Sequence, residues 1–141
     1  MVNKQKVKGV LWERELVNLL QNEIKGSKVK RIAGSGAIGS ILNEPLLQGD
    51  VVAEFPGFTK KFRLEAKTGY GGAKQLTVKK EWLDKISEEA RSSYSIPVLS
   101  CKFSGVRSGV KYFFVLDFDT FCDIINRVGY LYRLVDEDNE L

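Results

Sequence analysis

Along residues 8–24 the apolar positions Leu16, Val17, Leu20 and Ile24 recur at helical spacing, and Gly26 stands just past the last of them as a stop signal. Residues 28–33 predict a short strand. Residues 34–49 are rich in turn formers and predict a long loop. Alternation returns in 50–55 and 61–67, two strands separated by Pro56-Gly57-Phe58-Thr59-Lys60, which predicts a hairpin. Thr68–Lys74 carries three glycines and is expected to be a mobile loop. Helical spacing reappears in 79–92 through Trp82, Leu83, Ile86 and Ala90. Strands follow at 96–103 and 110–117 around the polar turn Ser104–Gly109. A third helix is expected over 119–128, capped by Asp119 or Thr120, and a final strand over 130–135. No repeat or linker divides the chain. The pattern is that of one α/β domain, 1–141, with a central mixed β-sheet flanked by helices.

Composition narrows the chemistry. The 141 residues are 43% hydrophobic and 28% charged, which is globular, and no apolar run is long enough to span a bilayer. The N-terminus lacks a signal-peptide core. Cys101 and Cys122 lie far apart without metal-ligand spacing, and they read as reduced thiols of a cytoplasmic protein, in a host cytoplasm if the source is viral. There is no histidine, which removes Ser-His-Asp and Cys-His catalysis and histidine-bound zinc. Catalysis in this chain must run on carboxylates, lysines, hydroxyls or a metal held by oxygen.

Charge points to a polyanion. Four of the 18 acids fall in the last six residues, so residues 1–135 set 22 bases against 14 acids, a net of +8. The acidic end, 136–141, is expected to be a flexible tail. Residues 1–31 hold eight bases and three acids. A basic N-terminal third suits nucleic acid, although a solvated lysine-rich surface has the same composition.

Three acids sit where a core or a strand pair should be. Glu13 stands 3, 4, 7 and 11 residues before Leu16, Val17, Leu20 and Ile24, so a helix places its carboxylate on the apolar face, where it needs a cation. A glutamate peeking past the first helical turn is the plainer alternative. In strand 61–67, alternation puts Phe62, Leu64 and Ala66 on one face and Arg63, Glu65 and Lys67 on the other. That second face is either a site or an ordinary solvated surface. Asp50 opens the preceding strand. A turn over 56–60 pairs it near Ala66 or Lys67 and makes it a diagonal neighbour of Glu65, unless it merely caps a turn. Taken together, three carboxylates and one lysine converge. Crowded carboxylates raise one another's pKa unless a cation intervenes, and oxygen ligands favour Mg²⁺ or Mn²⁺.

The order Glu13, Asp50, Glu65-Ala66-Lys67 resembles the PD-(D/E)XK nuclease superfamily, and within it the archaeal-type Holliday junction resolvases. The segment Lys8-Gly9-Val10-Leu11-Trp12-Glu13-Arg14-Glu15-Leu16 resembles that family's Lys-Gly-x-x-x-Glu-Arg-Glu-Leu opening. Lys30-Arg31-Ile32-Ala33-Gly34-Ser35 is similar to its basic strand and Gly-Ser turn, and residues 96–103 are similar to the strand after its second long helix. The resemblance covers roughly residues 6–103. Gly49 stands where the family usually has proline, and loop 36–49 is longer than usual.

The resemblance implies a restriction-endonuclease-like nuclease fold and a Mg²⁺-dependent endonuclease, with Mn²⁺ as a substitute, that cuts four-way DNA junctions as a homodimer. It implies Glu13, Asp50, Glu65 and Lys67 as catalytic residues. Asp50, Glu65 and the Ala66 carbonyl would ligate the metal, with Glu13 joining directly or through water. Lys8, Arg14, Arg31, Ser35 and Lys74 would contact DNA. No small-molecule cofactor and no membrane are expected. The alternatives are a nuclease of the same superfamily acting on other branched or duplex DNA, and a basic binding module without catalysis.

Overall fold

The computed structural model describes residues 4–32 and 50–140, with the side chains of residues 4–7 excepted. The expected loop 34–49, and Ser35 with it, lies outside the described residues. Helix α1 spans Lys4–Glu23. Its residues Trp12, Leu16 and Leu20, spaced by four, are buried against the sheet. The helix ends in a turn at Gly26 (φ +80°), where the Ser27 hydroxyl donates to the Leu20 carbonyl.

Five strands form one sheet in the order β1 (Lys28–Arg31), β2 (Val51–Glu54), β3 (Phe62–Thr68), β4 (Ile96–Lys102) and β5 (Tyr112–Val115). All neighbours are antiparallel except β3 and β4, which run parallel and are joined through helix α2 (Lys80–Ser92). That is the crossover a parallel pair requires.

Alternation on β3 and β4 splits the core into two layers. Phe62, Leu64 and Val98 pack with α1, while Leu99 and Cys101 pack with Ile86 of α2. This is the mixed sheet flanked by helices that the pattern predicts. The hairpin between β2 and β3 turns at Gly57 (φ +87°), where a Cβ would come within 2.9 Å of Leu131.

The C-terminal quarter departs from expectation. Helix α3 runs from Phe118 to Glu140, through the expected strand 130–135 and on through the acidic residues 136–140. Its cap is Asp117, whose carboxylate accepts the Thr120 N–H at 2.7 Å, rather than Asp119 or Thr120. Residues 130–135 are rich in tyrosine, leucine and valine, which favours a strand locally. Extending an existing helix costs far less than starting a new element. The 3.6-residue period continues as well: Thr120, Ile124, Arg127 and Leu131 share one face, and the Arg127 guanidinium donates to the Gly57 carbonyl at 2.7 Å.

Candidate active site

Three elements deliver the acids to one end of the sheet. The β2–β3 register pairs Val51 with Leu64. Continued by one residue, it sets Asp50 opposite Glu65, one step tighter than the expected pairing with Ala66 or Lys67. The Asp50 carboxylate accepts the Ala66 N–H at 2.8 Å and shares a side-chain hydrogen bond with Glu13. Asp50 thus links two layers: Glu13 on the α1 side, and Glu65 among the α2-facing residues of β3.

Glu13 meets its cation. The Arg31 Nε lies 2.6 Å from its carboxylate. Burial nevertheless raises the Glu13 pKa, with Asp50 adding to the rise against the pull of Arg31.

Glu65 is the more strained group. Burial, then the adjacent Asp50 charge, push its pKa up to about 7, against the opposing pull of Lys67 and Lys85. The Lys67 ammonium lies 3.6 Å from Glu65 and 4.6 Å above the Trp82 ring of α2. Lys67 is therefore held between a carboxylate below and an indole beside it.

Arg63 differs from the solvated reading of its strand face. It is buried under α2, where its guanidinium donates to the Ser93 hydroxyl at 3.1 Å. Burial lowers its pKa, and the Glu89 and Glu65 charges oppose that shift.

The donor set suits a hard divalent cation: Asp50 and Glu65 present only oxygen, and the raised Glu65 pKa marks negative charge that a cation would relieve. Among the described residues, no three His, Cys, Asp or Glu side chains are gathered closely enough to hold one ion. Glu13 lies in its ion pair with Arg31 and also meets Asp50, which stands between it and Glu65.

Around the acids the surface is basic and open. A cleft of about 240 Å³ runs between Lys8 and Gly9 of α1 and the Lys67–Tyr70 end of β3. A second, about 230 Å³, continues past Lys8 and Thr68 to Trp12 and Lys102. A larger hollow, about 430 Å³, lies elsewhere, between Gln21, Lys28, Lys30 and Lys61. Volume does not select the site here, because a duplex backbone rides on an open surface rather than entering a cavity.

Lys8, Arg14 and Lys74 are exposed, whereas Arg31 is engaged by Glu13. The loop after β3 makes contacts with its surroundings. Thr77 N–H donates to the Tyr70 carbonyl at 2.7 Å, Ser104 N–H donates to the Gly72 carbonyl, and Tyr70 packs edge-on against Trp82.

The sequence reading missed two partners. Trp82 reads as a core position of α2, and its contact with Lys67 depends on how α2 crosses β3. Glu15 carries no role in the sequence beyond its place in the opening motif, yet its carboxylate is taken at 2.5 Å by Lys102 and at 2.5 Å by the Tyr112 hydroxyl. No local signal connects residues 87 and 97 positions apart.

Among the described residues no helix is long and apolar enough to cross a membrane. Comparison with curated proteins finds no match. The chain is similar to the solved structure of Hjc from Archaeoglobus fulgidus, titled a Holliday junction resolvase from an archaeal hyperthermophile. The two share 18% identity over 80% of this chain and 86% of that one, with a TM-score of 0.48. The family model of the archaeal Holliday junction resolvases (Hjc) matches residues 4–128, further toward the C-terminus than the motifs alone reach. That span takes in α1, the whole sheet and the four residues Glu13, Asp50, Glu65 and Lys67. By it the chain belongs to the archaeal Holliday junction resolvase family, and so to the nucleases.

Proposed function

We propose that this chain is a divalent-metal-dependent endonuclease that makes paired, symmetric nicks in four-way DNA junctions by phosphodiester hydrolysis, acting as a homodimer. The observation that supports it best is the pairing of Asp50 with a Glu65 whose pKa is raised to about 7, beside the Lys67 ammonium. Asp50, Glu65 and the Ala66 carbonyl would hold the ion, with Glu13 reaching it through water. When bound there, the ion supplies charge neutralisation at the scissile phosphate and acidifies water.

Asp50 is oriented for this by the Ala66 N–H, and Glu65 by its place on β3. Lys67 positions the attacking water and stabilises the negative charge that grows on the phosphate as the phosphorus–oxygen bond breaks. Trp82 keeps that ammonium from folding away. Lys8, Arg14 and Lys74, with Arg31 and Ser35, would grip phosphates, so that the enzyme reads junction shape rather than base sequence. Twofold symmetry of the homodimer would set the two cuts.

The test is a synthetic mobile four-way junction beside a linear duplex and a flap, each with Mg²⁺, Mn²⁺, Ca²⁺ or EDTA. Symmetric nicks in the junction with Mg²⁺ or Mn²⁺, and none with Ca²⁺ or EDTA, are expected. Preferential cutting of the flap or duplex would move the enzyme to another DNA target. No product on any substrate would leave a binding module.

A further inference from the structure

The aromatic pair beside Lys67 also carries a second ammonium. Lys79, the residue just before α2, sets its Nζ 5.6 Å from the centre of the Trp82 ring and 5.8 Å from that of Tyr70. Lys67 lies 4.6 Å and 6.0 Å from the same two rings. The rings pack edge-on, with centroids 4.7 Å apart. Measured through Trp82, at 4.6 Å and 5.6 Å, the two ammonium groups stand no more than about 10 Å from each other.

The segment that joins the two lysines is closed on itself. Thr77 N–H donates to the Tyr70 carbonyl at 2.7 Å, and at Gly71 (φ +134°) a Cβ would fall 2.6 Å from the Gln75 carbonyl oxygen. Tyr70 lines the cleft at the Lys67 end of β3, so Lys79, exposed and set over that ring, extends the basic rim beyond Lys67. Lys67 meets Glu65 and Lys80 meets Asp84, whereas no carboxylate pairs with Lys79 among the described residues.

We propose that Lys79 is a substrate-binding residue of the nuclease site: held by Tyr70 and Trp82, it takes a phosphate neighbouring the scissile one on the cut strand. The inference rests on the proposed endonuclease, in which Lys67 faces the scissile phosphate, and it adds the path of the strand, past Trp82 toward the start of α2.

Spacing fits this task. Phosphates of one strand recur every 3.4 Å or so along a duplex axis, so a span of about 10 Å takes in neighbouring phosphates. Charge fits it too, because two ammonium groups this close repel, and an anion within reach of both relieves the repulsion. The rings supply preorganisation. A lysine head on its four-carbon stem is flexible, and one that merely packed its stem on an aromatic surface would turn its charge out to water. Here the Nζ itself lies close to both rings, at 5.6 Å and 5.8 Å, within cation–π range. Less freedom is then lost when a phosphate arrives.

The experiment uses the full chain and synthetic four-way junctions that carry one neutral methylphosphonate, placed in turn at successive phosphates of one strand through the branch point. Affinity is measured in Ca²⁺ and single-turnover cleavage in Mg²⁺, for the wild type, Lys79→Ala and Lys79→Arg, with circular dichroism confirming each fold. Lys79→Ala is expected to weaken junction binding about fivefold to tenfold and to lower its salt slope by about one unit, with the cleavage rate of bound junction nearly unchanged. Lys79→Arg is expected to keep most of the affinity, since a guanidinium also stacks on aromatic rings and grips phosphate. One methylphosphonate position should weaken the wild type as much as Lys79→Ala does, and should cost the Ala variant nothing further.

A folded Lys79→Ala chain that binds as tightly as the wild type overturns the proposal. So does one that every methylphosphonate weakens as much as it weakens the wild type. Intact affinity with slowed cleavage would make Lys79 a prop for Lys67 and overturns it as well. Failure of the nuclease reading looks different: the methylphosphonate coupling would persist in Ca²⁺ while no strand is cut in Mg²⁺, and the phosphate contact of Lys79 would stand.

Discussion

Two acidic groups, one on the first helix and one across the sheet on β3, are built in opposite ways. Glu15 has its oxygens taken by Lys102 and Tyr112. Although burial works to raise its pKa, those hydrogen bonds and the charges of Lys102 and Lys111 hold it below the ordinary value. Glu65, on the far side of β3, is raised to about 7 because burial and Asp50 outweigh Lys67. The first cluster is electrically complete and stabilises the fold. The second keeps a carboxyl raised by burial and by Asp50, an arrangement that costs stability once the group ionises. One sheet end therefore sets an acidic group satisfied by its neighbours beside one whose neighbours leave its carboxyl raised.

The comparison breaks hardest on activity. Glu65→Gln or Lys67→Ala is expected to reduce junction cleavage about a thousandfold, with gel-shift affinity for the junction nearly unchanged. Glu15→Gln should leave the chemical step intact, and equal loss in both clusters would erase the distinction drawn between them.

Stability should then move in opposite directions. A carboxyl whose folded pKa lies above its unfolded value of 4.5 weakens the fold as pH rises from there through about 7. Metal-free Glu65→Gln should therefore be about 2–3 kcal/mol more stable than the wild type at pH 8, measured by urea unfolding, and equal to it near pH 4. Mg²⁺ should raise the wild-type midpoint and close that gap.

For Glu15 the sign reverses. Its lowered pKa contributes stability that is present above 4.5 and is lost as pH falls through the folded value. Glu15→Gln should cost about 1 kcal/mol at pH 7, a modest figure because the pair is partly exposed, and the cost should vanish in acid. Smallest of all, Lys8→Ala should reduce the salt slope of junction binding by about one unit, with the cleavage pattern unchanged.

Most elements of the sheet and the first two helices were legible in the sequence, because each follows a local period. Apolar residues at helical spacing mark α1 and α2, and strict alternation marks β3. The acids that the fold brings near one another were legible for the same reason: Glu13 breaks an apolar helix face, and Glu65 with Lys67 shares one face of a strand. What failed to show lies in regions where local preference and long-range packing disagree. Tyr130–Val135 favours a strand by composition but continues a helix already seated on Gly57. Arg63 occupies the polar phase of its strand yet is buried by α2.

By itself, then, the amino-acid order marked Glu13, Asp50, Glu65 and Lys67 as candidates and set the faces on which they stand. It also excluded histidine chemistry altogether. Tertiary structure alone decided that Arg31 pairs with Glu13, that Trp82 supports Lys67, that Glu15 turns to Lys102 and Tyr112, and that Asp50 stands one step closer to Glu65. The reason is that periodicity is a property of a few consecutive residues, whereas these contacts join elements far apart in the chain. Their distances are set only when two layers pack on one sheet.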